Sequence, residues 1–161
     1  MTSEVIAAPR GAEPRLPRMR SIGAPDPWRN LTDIQSAPKF SAEMFAAFWA
    51  APDMSRGFDI LAEDIVGYWP GDPQPVRGIE AYTAKIAELL DTTPHLRLEV
   101  IDSATVPGAG AGEELVFLHY VGYGTSASGP VQIRGIDRVR ARDGIVVENV
   151  IRYDPVFVGL R

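Results

Sequence analysis

Asp137 is a carboxylate in a row of apolar residues. Read as a strand, "VQIRGIDRVRA" puts Val131, Ile133, Gly135, Asp137, Val139 and Ala141 on one side. Gln132, Arg134, Arg138 and Arg140 take the other side, interrupted only by Ile136. Taking a carboxylate out of water is costly, and the cost appears as a raised pKa, so Asp137 is suited to accept and return a proton near neutrality. The alternative is a buried Asp tied to one of the neighbouring arginines. His119, in "FLHYV", is one of only two histidines. Alternation there puts Phe117, His119, Val121 and Tyr123 on one face, and a hairpin pairing across about residues 124–132 makes His119 a neighbour of Asp137. His119 can then polarise a carbonyl, orient Asp137 or serve as the base itself, unless it is a core histidine satisfied by a tyrosine or water. On the last strand Val147, Asn149, Ile151 and Tyr153 share a face, so Asn149 is a second polar group on an apolar side. Its amide suits either a substrate oxygen or the orientation of Asp137. Tyr68, Tyr120 and Tyr123 are candidates for the rim or for a phenolic donor, while Phe45, Phe48, Trp49 and Trp69 build core and wall a cavity.

Other chemistries lack their signatures. The chain has no cysteine, which removes disulfides, thiolate catalysis and Cys-based metal sites. His95 and His119 do not have the spacing of a helical histidine pair, no dense carboxylate loop is visible, and no metal is expected. No dinucleotide fingerprint follows a strand and no serine occupies an elbow-type turn, so cofactor-free proton transfer is the expected chemistry. A formal net charge of −5 argues against a nucleic-acid surface, which needs a basic stripe. No apolar stretch has the length of a membrane span or the pattern of a signal peptide, and cytoplasmic residence is the expectation.

These residues need elements to hold them. At 161 residues and 45% hydrophobic, the chain suits one domain with a real core, assigned here to residues 39–161. Residues 1–38 carry Pro9, Pro14, Pro17, Pro25, Pro27 and Pro38 and read as an arm whose end Trp28 and Leu31 can anchor. "SAEMFAAFWAA" predicts a helix capped by Ser41, with Met44, Phe45, Phe48 and Trp49 on one stripe. A second helical turn or two is predicted over roughly 55–62, then a short strand "IVGYW" and a turn-rich loop. Ile79, Tyr82, Ile86, Leu89 and Leu90 predict a helix over 79–90. After Pro94 the period becomes two, and "HLRLEVID", "ELVFLHYVGYG", "VQIRGIDRVRA" and "IVVENVIRYD" predict four strands in an antiparallel meander. Helices first and strands afterwards give an α+β fold, a curved, mostly antiparallel sheet closed by helices into a cone-shaped barrel with room for a small ligand.

The order of helices, "LAEDIVGYWPGDPQPVRGIEAY", and four strands ending in "GIDRVRARDGIVVENVIRYDP" resembles the nuclear transport factor 2-like superfamily with its cystatin-like fold, and within it the SnoaL-like polyketide cyclases. The resemblance covers about residues 40–157. In the ketosteroid isomerases of that superfamily a protonated aspartic acid matches Asp137, but the base position falls at about Trp69 and the first-helix tyrosine at Phe45 or a neighbour. The last-strand aspartate of the epoxide hydrolases aligns near Ile151. The cyclases' histidine and acid/base aspartate match His119 and Asp137. The resemblance therefore implies a cofactor-free acid/base enzyme for an apolar, oxygenated small molecule, by aldol-type cyclisation, isomerisation or retro-aldol lyase chemistry. Catalysis falls to Asp137, His119 and Asn149, with Tyr68, Trp69, Phe45, Trp49, Phe117, Tyr123 and Tyr153 around the substrate. It also implies a homodimer, and leaves open a non-catalytic binder of hydrophobic molecules or an epoxide hydrolase or dehydratase on the same scaffold.

Overall fold

The computed structural model describes residues 38–157, residue 57 excepted. Apart from Pro38, the proline-rich arm with Trp28 and Leu31 lies outside the described residues. Helix α1, Ala42–Ala50, starts where Ser41 in extended conformation accepts a hydrogen bond from the Met44 backbone N–H at 3.2 Å. It buries Phe45 and Trp49. Helix α2, Ile79–Thr92, buries Tyr82 and Ile86. Gly78 precedes it at φ 88°, a left-handed backbone that a side chain would strain, and its N–H reaches the Ile65 carbonyl at 2.8 Å.

Six strands form one sheet: β1 (Leu61–Tyr68), β2 (Val76–Arg77), β3 (Arg97–Pro107), β4 (Glu113–Ser126), β5 (Gly129–Arg142) and β6 (Ile145–Phe157). Their order across the sheet is β2-β1-β6-β5-β4-β3, with β1 parallel to β6 and every other pair antiparallel. The last four strands make the expected meander, and the α+β architecture is a curved sheet covered by two helices. Helix α1 packs on β3, and α2 packs on β1 and β2, so the inner face is covered from both ends. Between the helices the core gathers Ile65, Trp69, Leu98, Val116, Leu118, Tyr120, Ile133, Val139 and Ile151.

Two predicted elements change. Residues 54–55 and 59–60 make turns where the second helix is predicted, and "LAED" already belongs to β1. A break in the β1–β6 register between Leu61 and Val66 leaves Glu63 and Asp64 both exposed, so the alternation that marks a strand is lost there. In β6 a second irregularity, opposite Arg140 and Ala141, turns Val146 inward in place of Val147. Beyond it Asn149 and Ile151 face inward as expected.

Candidate active site

Asp137 is 4% exposed and takes its place in the apolar row of β5. Among the described residues no arginine meets it. Arg138 lies on the outer face, paired with Glu148, and Arg140 approaches Glu148 and Glu113 there at 3.5 Å. Neutral donors hold the carboxylate instead. Tyr120 donates its phenolic proton to Oδ1 at 3.0 Å, and the Asn149 amide nitrogen donates to Oδ2 at 3.1 Å. That nitrogen also donates to the Tyr82 hydroxyl at 2.9 Å. The amide must turn this way round, because the reverse would set its carbonyl oxygen against the carboxylate. Burial pushes the Asp137 carboxyl up to about 6, against the opposing pull of the Asn149 and Tyr120 hydrogen bonds. Near neutrality it is therefore mostly ionised and still basic enough to take a proton. Burial also pushes the hydroxyls of Tyr82 and Tyr120 upward, and both remain protonated donors.

Local sequence explains the arrangement. Tyr120 pairs across the ladder with Gly135, and a Cβ there would stand 2.5 Å from the phenolic oxygen. The missing side chain thus makes room for the hydroxyl that caps Asp137 two residues on. In the same way Gly67 lies beside Asn149 in the β1–β6 pairing, and a Cβ there would stand 2.7 Å from the Tyr82 ring. Trp69 packs against that ring with centroids 5.8 Å apart. The group faces a cavity of about 340 Å³ walled by Phe45, Phe48, Trp49, Phe58, Trp69 and Leu98 among others, with Asp137, Asn149, Tyr82, Tyr120 and Tyr153 as its inner polar groups. Exposed Arg56 and Asp59 also line it and mark the side open to water.

The placement of the predicted residues divides cleanly. Asp137, Asn149, Phe45, Trp49, Trp69 and Tyr153 all line the cavity. His119, Phe117 and Tyr123 do not: the hairpin turns at Ala127 and Ser128, Ser126 pairs with Gly129, and Leu118 rather than His119 stands opposite Asp137. One residue of register moves every side chain to the other face. His119 accordingly lies on the outer face, its side chain 44% exposed, with Nδ1 3.3 Å from the exposed Asp102 carboxylate. Phe117 and Tyr123 are exposed on the same face, near Ile101 and Ile136. Tyr68 alternates away from Ile65 and Trp69 and is absent from the cavity lining. Tyr82 was expected only as part of a core stripe. Its one signal was polarity, a phenol on the buried side of a helix facing the strand that carries Asn149.

Among the described residues no group of three or more His, Asp or Glu side chains could hold a metal, and no helix is long and apolar enough to cross a membrane. A family model described as the SnoaL-like domain matches residues 42–149, and the chain belongs to that family. No curated protein matches. Solved structures with the same fold include IdmH of Streptomyces antibioticus, described as a candidate polyketide cyclase, at 21% identity over 68% of this chain and 86% of that one, TM-score 0.56. A candidate isomerase from Bacillus subtilis is 18% identical over 70% of this chain and 82% of that one, TM-score 0.54. A protein of ketosteroid isomerase-like fold from Catenulispora acidiphila, crystallised with trimethylamine, is 13% identical over 68% and 82%, TM-score 0.55. At these identities the likeness is one of fold.

Proposed function

We propose that this protein is a cofactor-independent acid/base enzyme acting on an apolar, oxygenated small molecule, with Asp137 as the proton-transferring base. One observation carries the reading: a carboxylate 4% exposed, without a cationic partner among the described residues, opens on an aromatic cavity of about 340 Å³. A structural role would be served better by pairing the carboxylate with an arginine or by an apolar residue in its place, because an uncompensated buried charge destabilises the fold. Such a site is where a perturbed carboxylate is useful. Asn149 and Tyr120 act as positioning residues, each fixing one carboxylate oxygen. The base removes a proton from carbon next to a carbonyl and returns it elsewhere in the same product. Isomerisation and aldol-type cyclisation contain that step, and the retro-aldol reverse runs it backwards: the base takes the hydroxyl proton, the carbon–carbon bond breaks to leave the enolate, and the proton returns to the enolate's α-carbon. The candidate cyclase and candidate isomerase of the same fold are consistent with it.

A test that needs no knowledge of the natural substrate uses 1-indanone, a bicyclic aryl ketone, in D2O. The wild-type protein is expected to accelerate deuterium uptake at the α-carbon, with a rate that climbs as pH rises through about 6 and then levels, because only the carboxylate accepts the proton. Asp137→Asn is expected to lower the protein-dependent rate by about 10²–10⁴-fold. Equal rates in folded wild type and variant would refute the assignment.

A further inference from the structure

A base that makes an enolate needs a partner for the charge that appears on oxygen. Tyr120 is already committed, since its proton goes to Asp137. Asn149 spends its amide nitrogen on Asp137 and Tyr82. The Tyr82 hydroxyl is different: it accepts from Asn149, and among the described residues its own proton has no acceptor. Tyr82 is 6% exposed, and it lines the cavity. We propose that Tyr82 is a catalytic residue, the donor that binds the substrate's carbonyl oxygen and stabilises the enolate formed when Asp137 takes the α-proton.

The spacing suits the task. The Tyr82 hydroxyl and the Asp137 carboxylate share one amide nitrogen, which places their oxygens within about 6 Å of each other. A carbonyl oxygen and its neighbouring α-carbon are about 2.4 Å apart, so one ketone unit spans the gap with its α-carbon at the carboxylate and its oxygen at the phenol. In the step itself the α-carbon–hydrogen bond breaks and its proton goes to Asp137. The electron pair moves to the carbonyl oxygen, whose charge the Tyr82 hydrogen bond offsets without losing its proton. Burial, which keeps the phenol protonated, favours donation over transfer. The ring is held for this purpose: Gly67 lets it approach the sheet, Trp69 flanks it, and the Tyr82 backbone N–H is anchored on the Gly78 carbonyl at 3.0 Å.

This inference rests on Asp137 as the base, and infrared spectroscopy separates the two. With 1-indanone labelled with carbon-13 at the carbonyl, the stretch of the bound ketone is expected well below its value in hexane for wild type and for Asp137→Asn, and back near the hexane value in Tyr82→Phe. Tyr82→Phe is also expected to lose about 10²–10³-fold in deuterium uptake. A lowered stretch that survives in folded Tyr82→Phe would overturn the proposal and pass the role to another donor such as the Trp69 indole N–H. Failure of wild type to lower the stretch of the ketone would overturn it without any variant, which covers the case of a variant that does not fold. Loss of the low stretch only in Tyr82→Phe, with deuterium uptake unchanged in Asp137→Asn, would keep the donor and refute the base.

Discussion

Replacing Asp137 by Asn should stabilise the protein at neutral pH, and by an amount that follows from the site. The carboxyl titrates near 3.8 when unfolded and is pushed up to about 6 when buried. Below both values it is neutral in either state and contributes nothing. Between them the unfolded chain has released the proton and the folded one has not, so stability falls by about 1.4 kcal/mol per pH unit as pH rises. Above about 6 the full penalty, about 3 kcal/mol over this interval, is in place and stays constant. Asn carries no such penalty. It does turn one amide N–H toward a donor, since Tyr120 and Asn149 both offer protons at this position, and that mismatch costs about 1 kcal/mol at every pH. Urea unfolding at pH 4 and pH 7.5 therefore should show wild type above the variant at the acid end and the variant above wild type, by about 2 kcal/mol, at the other. Other carboxylates titrate in both proteins and cancel in the difference. A difference between wild type and variant that does not change over this range would refute the idea that burial, uncompensated by a cation, sets the chemistry of Asp137.

Gly67→Ala drives a methyl to 2.7 Å from the Tyr82 ring and 3.1 Å from the Trp69 indole nitrogen, so overpacking should cost about 1–3 kcal/mol, measured by chemical unfolding, and deuterium uptake should fall as the phenol is displaced. His119→Ala removes an exposed side chain whose neighbour Asp102 is also exposed; deuterium uptake is expected unchanged and stability altered by less than about 0.5 kcal/mol, and a large loss of rate would reinstate a catalytic histidine.

The elements were legible where burial followed a single period. Ile79, Tyr82 and Ile86 recur at helical spacing, and β5 alternates for its whole length, so the helix and the row containing Asp137 could both be read before any coordinates. Strand β4 could not be assigned a face. Leu115, Phe117, Val121 and Tyr123 on one side are as apolar as Val116, Leu118 and Tyr120 on the other, and only the turn decides between them. The small residues held the missing information: Gly122 and Gly135 sit where Leu98 and Tyr120 press against the sheet, which marks their faces as inner. Polar residues isolated in an apolar row, Asp137 and Asn149, stood out once the strands were read in alternation. Tyr82 did not, because a tyrosine in a helical core stripe has an ordinary explanation, and its hydrogen bond to Asn149 joins positions distant in the chain.

The short turn at Ala127 and Ser128 has a consequence for how this chain can change over evolutionary time. Because both faces of β4 are apolar, the strand could pack either way up, and the parity of that turn decides which face becomes interior. An inserted pair of residues would leave the parity intact. A single inserted codon would bring His119 and Tyr123 inward and send Tyr120 out to solvent. Two different polar repertoires are thus written into one strand, and the switch between them is a change of length, where substitution at the site itself would have to proceed residue by residue through a buried core.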